Sequence, residues 1–207
     1  HFRRSDNAQA IYNPFVGNLI MDAFTTEVGA EVYYRRSGFI GMLGFTNGKL
    51  NQNVLENDEG KTGGASFLAK LGYDKQLNDD LRVRLTGSLY NTGYVPNSYL
   101  YSGDRTGARY YDLMQDATAT SDDFRATRYN PNLSNSITAV MINPFVKYGG
   151  LEFFGTVEMA QGKASAEEDD RTAMQYAGEL IYRFGADENI YVGGRYNLVD
   201  AEDISGE

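Results

Sequence analysis

The sequence predicts an all-β fold: a segment of at least eight strands from a larger antiparallel transmembrane β-barrel, with residues 1–207 forming part of one barrel domain. Three observations carry this expectation. Stretches of about ten residues alternate apolar and polar side chains with a period of two. The links between them are alternately short and long, and aromatic residues of the apolar parity crowd toward the short links.

The first pair of strands places Val28, Ala30, Val32 and Tyr34 against Glu27, Glu31 and Arg35. A tight turn at 36–38 leads into 39–46, which is apolar on both parities, so its facing stays open. The second pair sets Phe67, Ala69, Leu71 and Tyr73 against Leu68, Lys70, Gly72 and Asp74, and turns at 75–80. It continues through Leu81, Val83, Leu85, Gly87 and Leu89, opposed by Arg82, Arg84, Thr86, Ser88 and Tyr90. The third pair runs through Val140, Ile142, Pro144, Val146 and Tyr148, turns at Gly149-Gly150, and resumes with Leu151, Phe153, Gly155, Val157 and Met159. Lys147, Glu152, Thr156 and Glu158 occupy its other parity, and Pro144 inside the pattern predicts a bulge or a strand end. The fourth pair has Met174, Tyr176, Gly178, Leu180, Tyr182 and Phe184 against Gln175, Glu179 and Arg183, turns at 185–188, and returns through Ile190 to Leu198 with Arg195 and Asn197 opposite.

The remaining connections, near 47–65, 91–135 and 162–172, are long and polar. Short turns at one end of a sheet and long loops at the other are the pattern of an outer-membrane barrel, with its turns in the periplasm. A soluble sandwich or lipocalin-like barrel also alternates. Two features argue against it: the parities of Leu81–Leu89, Leu151–Met159 and Ile190–Leu198 hold no charge, and Tyr34, Tyr73, Tyr148, Tyr182 and Phe184 lie on the apolar parity near short turns, as an interfacial belt requires.

Composition narrows the function classes. Sixteen Tyr, 11 Phe and 23 Gly in 207 residues suit a turn-rich β-protein and not a disordered chain. A net charge of -9 opposes the phosphate neutralisation that drives nucleic-acid binding. The absence of Cys removes disulfides, thiolate metal sites and Cys nucleophiles, and the only His is His1. No run reaches the roughly 18 apolar residues of a spanning helix, which says nothing about strands. The opening His-Phe-Arg-Arg-Ser-Asp lacks an initiator Met and a signal-peptide pattern, so the chain is expected to be truncated or processed.

Asp22-Ala23-Phe24-Thr25-Thr26-Glu27-Val28-Gly29-Ala30-Glu31, Gly41 to Lys49, and Asn143-Pro144-Phe145-Val146-Lys147-Tyr148 with Leu151 to Gly155 resemble outer-membrane porins of the Bacteroidota type. The resemblance spans most of 12–199 and implies a Gram-negative outer-membrane location and passive diffusion of small hydrophilic solutes or ions. The bilayer and lipopolysaccharide are then expected partners, together with further copies of the chain or other outer-membrane subunits. Asn-Pro-Phe-Val occurs at Asn13 and again at Asn143, and reads as a shared strand-entry motif.

No enzyme, cofactor or metal site is expected. A Ser-His-Asp arrangement would depend on His1, and Gly60-Lys61-Thr62 lacks the first Gly of a phosphate loop because residue 55 is Leu. The polar parity supplies the expected pore lining: Arg35, Lys70, Arg82, Arg84, Lys147, Glu152, Glu158, Glu179, Arg183 and Arg195, nearly balanced in sign once Glu27, Glu31 and Asp74 are counted. Arg82 and Arg84 together predict an anion-attracting patch, unless salt bridges within the wall absorb them. Glu167-Glu168-Asp169-Asp170, with Glu56, Asp58, Glu59, Asp122 and Asp123, reads as solvated loop, with divalent-cation binding as the sharper alternative. The 91–135 connection, with Tyr94, Tyr99, Tyr101, Tyr110 and Tyr111, is long enough to fold into the lumen as a constriction or to reach a partner. The alternative function is a structural or docking barrel whose lumen is plugged.

Overall fold

The computed structural model describes residues 27–49, 63–95, 118, 131–164 and 166–202. The first Asn-Pro-Phe-Val, Gly60-Lys61-Thr62, Tyr99 to Tyr111 and the acidic residues of 56–59 and 122–123 lie outside them. Eight strands form one antiparallel sheet in sequence order: β1 (Glu27–Arg36), β2 (Phe39–Lys49), β3 (Ser66–Gln76), β4 (Leu81–Thr92), β5 (Ser136–Tyr148), β6 (Leu151–Lys163), β7 (Arg171–Phe184) and β8 (Ile190–Ala201). Among the described residues each strand pairs only with its chain neighbours, so β1 and β8 are the edges and the sheet is not closed.

The short turns form where the local sequence favours them. Ser37 and Gly38 both take positive φ, the two-residue hairpin geometry that matches strand twist. Between β3 and β4 the Asn78 side chain accepts hydrogen bonds from the amides of Asp80 and Leu81, closing an Asx-type turn. The β6–β7 connection is shorter than expected: β6 runs to Lys163 and β7 begins at Arg171, so only 164–170 stand outside the sheet.

Pro144 is neither a bulge nor a strand end. It stands inside β5, opposite Leu85, and the ladder to β6 passes in constant register from Ile142↔Val157 to Phe145↔Phe154. Proline has no N–H to give, and Asn143 Nδ2 donates instead to the Gly155 carbonyl at 3.3 Å and to Thr156 Oγ1 at 3.0 Å. Glycine at 155 leaves room for the ring: a Cβ there would come within 2.9 Å of Pro144 Cγ.

The register settles the facing of β2. Phe39, Leu43 and Phe45 lie opposite Arg36, Val32 and Ala30, and opposite Tyr73, Ala69 and Phe67 on the other side. They therefore continue the apolar face, while Ile40 and Met42 join the polar one. One apolar face crosses all eight strands, and it is the exposed face: Val32 is 73% exposed, Leu71 72%, Leu85 55% and Val192 61%.

The buried residues belong to the opposite, polar face or to the segments lying on it. Ser66, Thr86, Thr92, Ile137, Ala139, Glu158, Ala160, Arg171, Ala173 and Gln175 are buried there. The sheet curls toward this side. Tyr90 on β4 donates to Glu27 on β1 at 2.6 Å, although three strand spacings amount to about 14 Å on a flat sheet. Val199 of β8 packs against a cluster of Leu133, Ile137, Ala139 and Ala160, joined from the other side by Tyr90.

The short-turn edge is slanted. The hydrogen-bonded row that begins at Arg36↔Phe39 continues through Tyr73, Leu85, Pro144, Gly155, Gly178 and Tyr196. Tyr73 is three residues inside the end of β3, and Tyr196 is six residues inside the start of β8. Six residues of stagger over about six strand spacings tilt the strands by roughly 35° from the normal to the turn line.

Candidate functional site

The candidate site is the concave polar face, where all ten residues expected to line a pore are placed. Five of them gather near the short turns. Arg82 and Lys147 are direct cross-strand neighbours, as are Lys147 and Glu152, and Arg84 lies opposite Asp74 and Phe145. Arg183 reaches Glu152 at 3.7 Å. Glu179 and Arg195 form a separate pair at 4.0 Å. Lys70 stands apart between Met42 and Ser88, Glu158 is buried opposite Gln175, and Arg35 is exposed on edge strand β1.

The two arginines expected to act as a matched pair are held differently. Arg82 grips Asp74 with both prongs, Nε to Oδ1 at 2.9 Å and Nη2 to Oδ2 at 2.8 Å. Such a fork on a carboxylate is strong and directional. Arg84 instead lies over aromatic rings, 4.8 Å from the Phe145 centroid and 5.9 Å from that of Phe154. The wall salt bridge therefore absorbs Arg82 and leaves Arg84.

Glu188, in the β7–β8 turn at φ 51°, folds under the same face. It accepts from Lys147 Nζ at 2.9 and 3.0 Å and approaches Arg183 Nε at 3.7 Å. Sequence order hides this contact, because Glu188 sits 41 residues beyond Lys147. Phe145 and Phe154 did carry a signal: they are aromatic residues on the charged parity.

At the long-loop end, two polar constellations were not expected. Glu27 accepts from Thr46, Ser66 and Tyr90, so one carboxylate ties β1 to the next three strands. Arg171, buried at the start of β7, donates to Glu167 Oε1 at 2.7 Å, to the Pro131 carbonyl at 2.9 Å and to the Glu202 carbonyl at 3.3 Å. It thereby joins the β6–β7 connection, the segment before β5 and the end of β8.

Glu167 is thus held within the structure, unlike the solvated loop residue expected. Burial alone would push its carboxyl up. The Arg171 hydrogen bond, the Ala164 amide and the charges of Arg171 and Lys163 outweigh burial and hold it below the usual carboxylate range. Lys163 Nζ donates to the Glu168 carbonyl, and Asp170 accepts from Ser136.

The described ends of the 91–135 connection continue the ladders beyond β4 and β5, and Leu133 packs with Ile137, Ala139 and Ala160. Val95 and Asn135 exchange hydrogen bonds in both directions, and Val95, Pro131 and Leu133 are almost fully buried. Among the described residues no group of three His, Asp or Glu side chains is close enough to hold a metal ion. Comparison with protein-family models, characterised proteins and solved structures gives no match.

Proposed function

We propose that the chain is part of an outer-membrane β-barrel through which small hydrophilic solutes or ions diffuse along the concave polar face. One observation carries this reading: the apolar face is exposed across all eight strands, whereas the buried polar and charged side chains of the sheet, such as Ser66, Thr86, Glu158, Arg171 and Gln175, lie on the opposite face. A water-soluble sheet would gain by hiding those apolar side chains, whereas a lipid-facing sheet gains by presenting them.

The dimensions support the same reading. From Leu81 to Leu89, Tyr148 to Val140 and Leu151 to Met159, the apolar band runs eight steps, about 27 Å along the strand and about 22 Å at a 35° tilt. It ends at the row Asn91–Thr138–Gln161–Thr172, where polar side chains take over. The apolar belt of a transmembrane barrel is about 25 Å tall. Tyr34, Phe39, Tyr73, Tyr148, Tyr182 and Phe184 follow the slanted turn line, and no single cross-strand row contains them all: Phe39 and Tyr73 share one row, Tyr148 and Tyr182 another. Edge-to-face contacts join Phe39 to Tyr73 at 5.1 Å and Tyr182 to Phe184 at 4.8 Å. A bilayer interface parallel to the turn line accounts for that placement.

The buried ends of the long connection, with Leu133 packed into the cluster on the concave face, favour a constricted lumen, and a complete plug would make the protein a structural or docking subunit. Single-channel recording on the full-length protein in planar bilayers decides. Stepwise conductance is the expected result, and silence from correctly folded, inserted protein overturns the pore.

A further inference from the structure

We infer that Arg84 is an oxyanion-binding point on the concave wall, taking a carboxylate or phosphate group of a small solute. This deepens the pore reading and rests on it for the solute's route. The argument starts from charge. Asp74 stands directly opposite Arg84 on β3, but both of its oxygens are engaged by Arg82. Glu152 is drawn toward Arg183, and Glu188 toward Lys147 and Arg183. The nearest remaining carboxylate along the row is Glu179, three strands from β4 and beside Arg195. Among the described residues, Arg84 therefore holds a positive charge that no carboxylate neutralises by direct contact.

Geometry supplies the second half. Phe145, opposite Arg84, and Phe154, the next residue in the row, offer ring faces to the guanidinium, which fixes its plane without occupying its N–H groups. A planar guanidinium braced on aromatic rings keeps its fork of donors for a bidentate oxyanion. Arg82, also 5.8 Å from the Phe145 centroid, adds positive potential from the same face while staying locked to Asp74.

Inorganic phosphate is the probe. Its binding to the full-length protein in detergent is followed by phosphorus NMR, and its block of chloride current is measured in planar bilayers. Wild type should bind phosphate. Arg84→Gln should weaken binding by about tenfold or more, the loss expected for a charge-assisted pair of hydrogen bonds. Arg84→Lys, which keeps the charge but not the fork, should bind at an intermediate strength. Arg195→Gln removes the same charge elsewhere on the wall and should bind as wild type does, and Asp74→Asn, which releases Arg82, should bind more tightly. Heat-modifiable mobility on gels selects folded protein for every variant. Phosphate binding that is absent from wild type, or equal in folded Arg84→Gln and wild type, overturns the assignment. Binding that depends on Arg84 in a protein that never conducts leaves this site standing and removes the pore instead.

Discussion

Asn143 lends its side-chain amide to the carbonyl of Gly155, the residue across the ladder from Pro144. The strand keeps its register through a proline because a neighbouring side chain supplies the donor that the proline lacks. Asn143→Ala should destabilise the sheet by about 1–2 kcal/mol, since it removes that bond and the one to Thr156. Urea unfolding of vesicle-inserted protein measures the loss. An unchanged midpoint would mean that water serves the carbonyl equally well.

Leu85 and Val192 occupy the exposed apolar face on β4 and β8, and Arg at either position should cost about 2–4 kcal/mol of folding into bilayers. Ser88→Arg, on the concave face of the same β4 strand, should cost much less. Folded and unfolded fractions after incubation with vesicles give the comparison, and equal losses at Leu85 and Ser88 would reverse the facing.

Acid should loosen the β6–β7 connection. Because the folded Glu167 carboxyl titrates below its ordinary value of 4.5, its bond to Arg171 contributes fully above that value. The contribution is lost as pH falls through the lower, folded value. Glu167→Gln should lower stability at neutral pH and flatten the acid limb of the stability curve below about 4.5. A parallel acid limb in the variant would show that other carboxyls govern it.

Sidedness can be read with protease. Segments around Gly103, outside the described residues, and Ala166 should be cut in intact cells, while Asn78 and Ala186 in the short turns should be cut only after the outer membrane is opened. Cleavage at the short turns alone would invert the orientation.

The strands were legible because Leu81 to Leu89 and Ile190 to Leu198 write the two-residue period plainly. β2 was not, because Ile40 and Met42 make its inner parity apolar as well, and only its pairing with Val32 and Ala69 settles which side faces out. The inner face was legible as a set of charges but not as a set of pairs. Arg82 finds Asp74 across a hairpin within reach of a sequence argument, whereas Tyr90 finds Glu27 63 residues away through the curl of the sheet. Arg171 carried no pattern of its own, since its role comes from three segments that meet only after folding.

A sheet in which every strand pairs with its chain neighbours has a low contact order for its size. The separations that must close are 7, 16 and 43 residues between successive hairpins. Chain-closure entropy grows only logarithmically, so the longest costs about 0.9 kcal/mol more than the 16-residue one. Hairpins can therefore add one at a time in either direction, with β1 and β8 joining last as the edges of the described sheet. The Glu27 carboxylate and the Arg171 guanidinium each fasten strands on opposite flanks of that growing sheet. Each therefore reaches past its own ladder partners, Glu27 to β3 and β4 and Arg171 to the segment before β5.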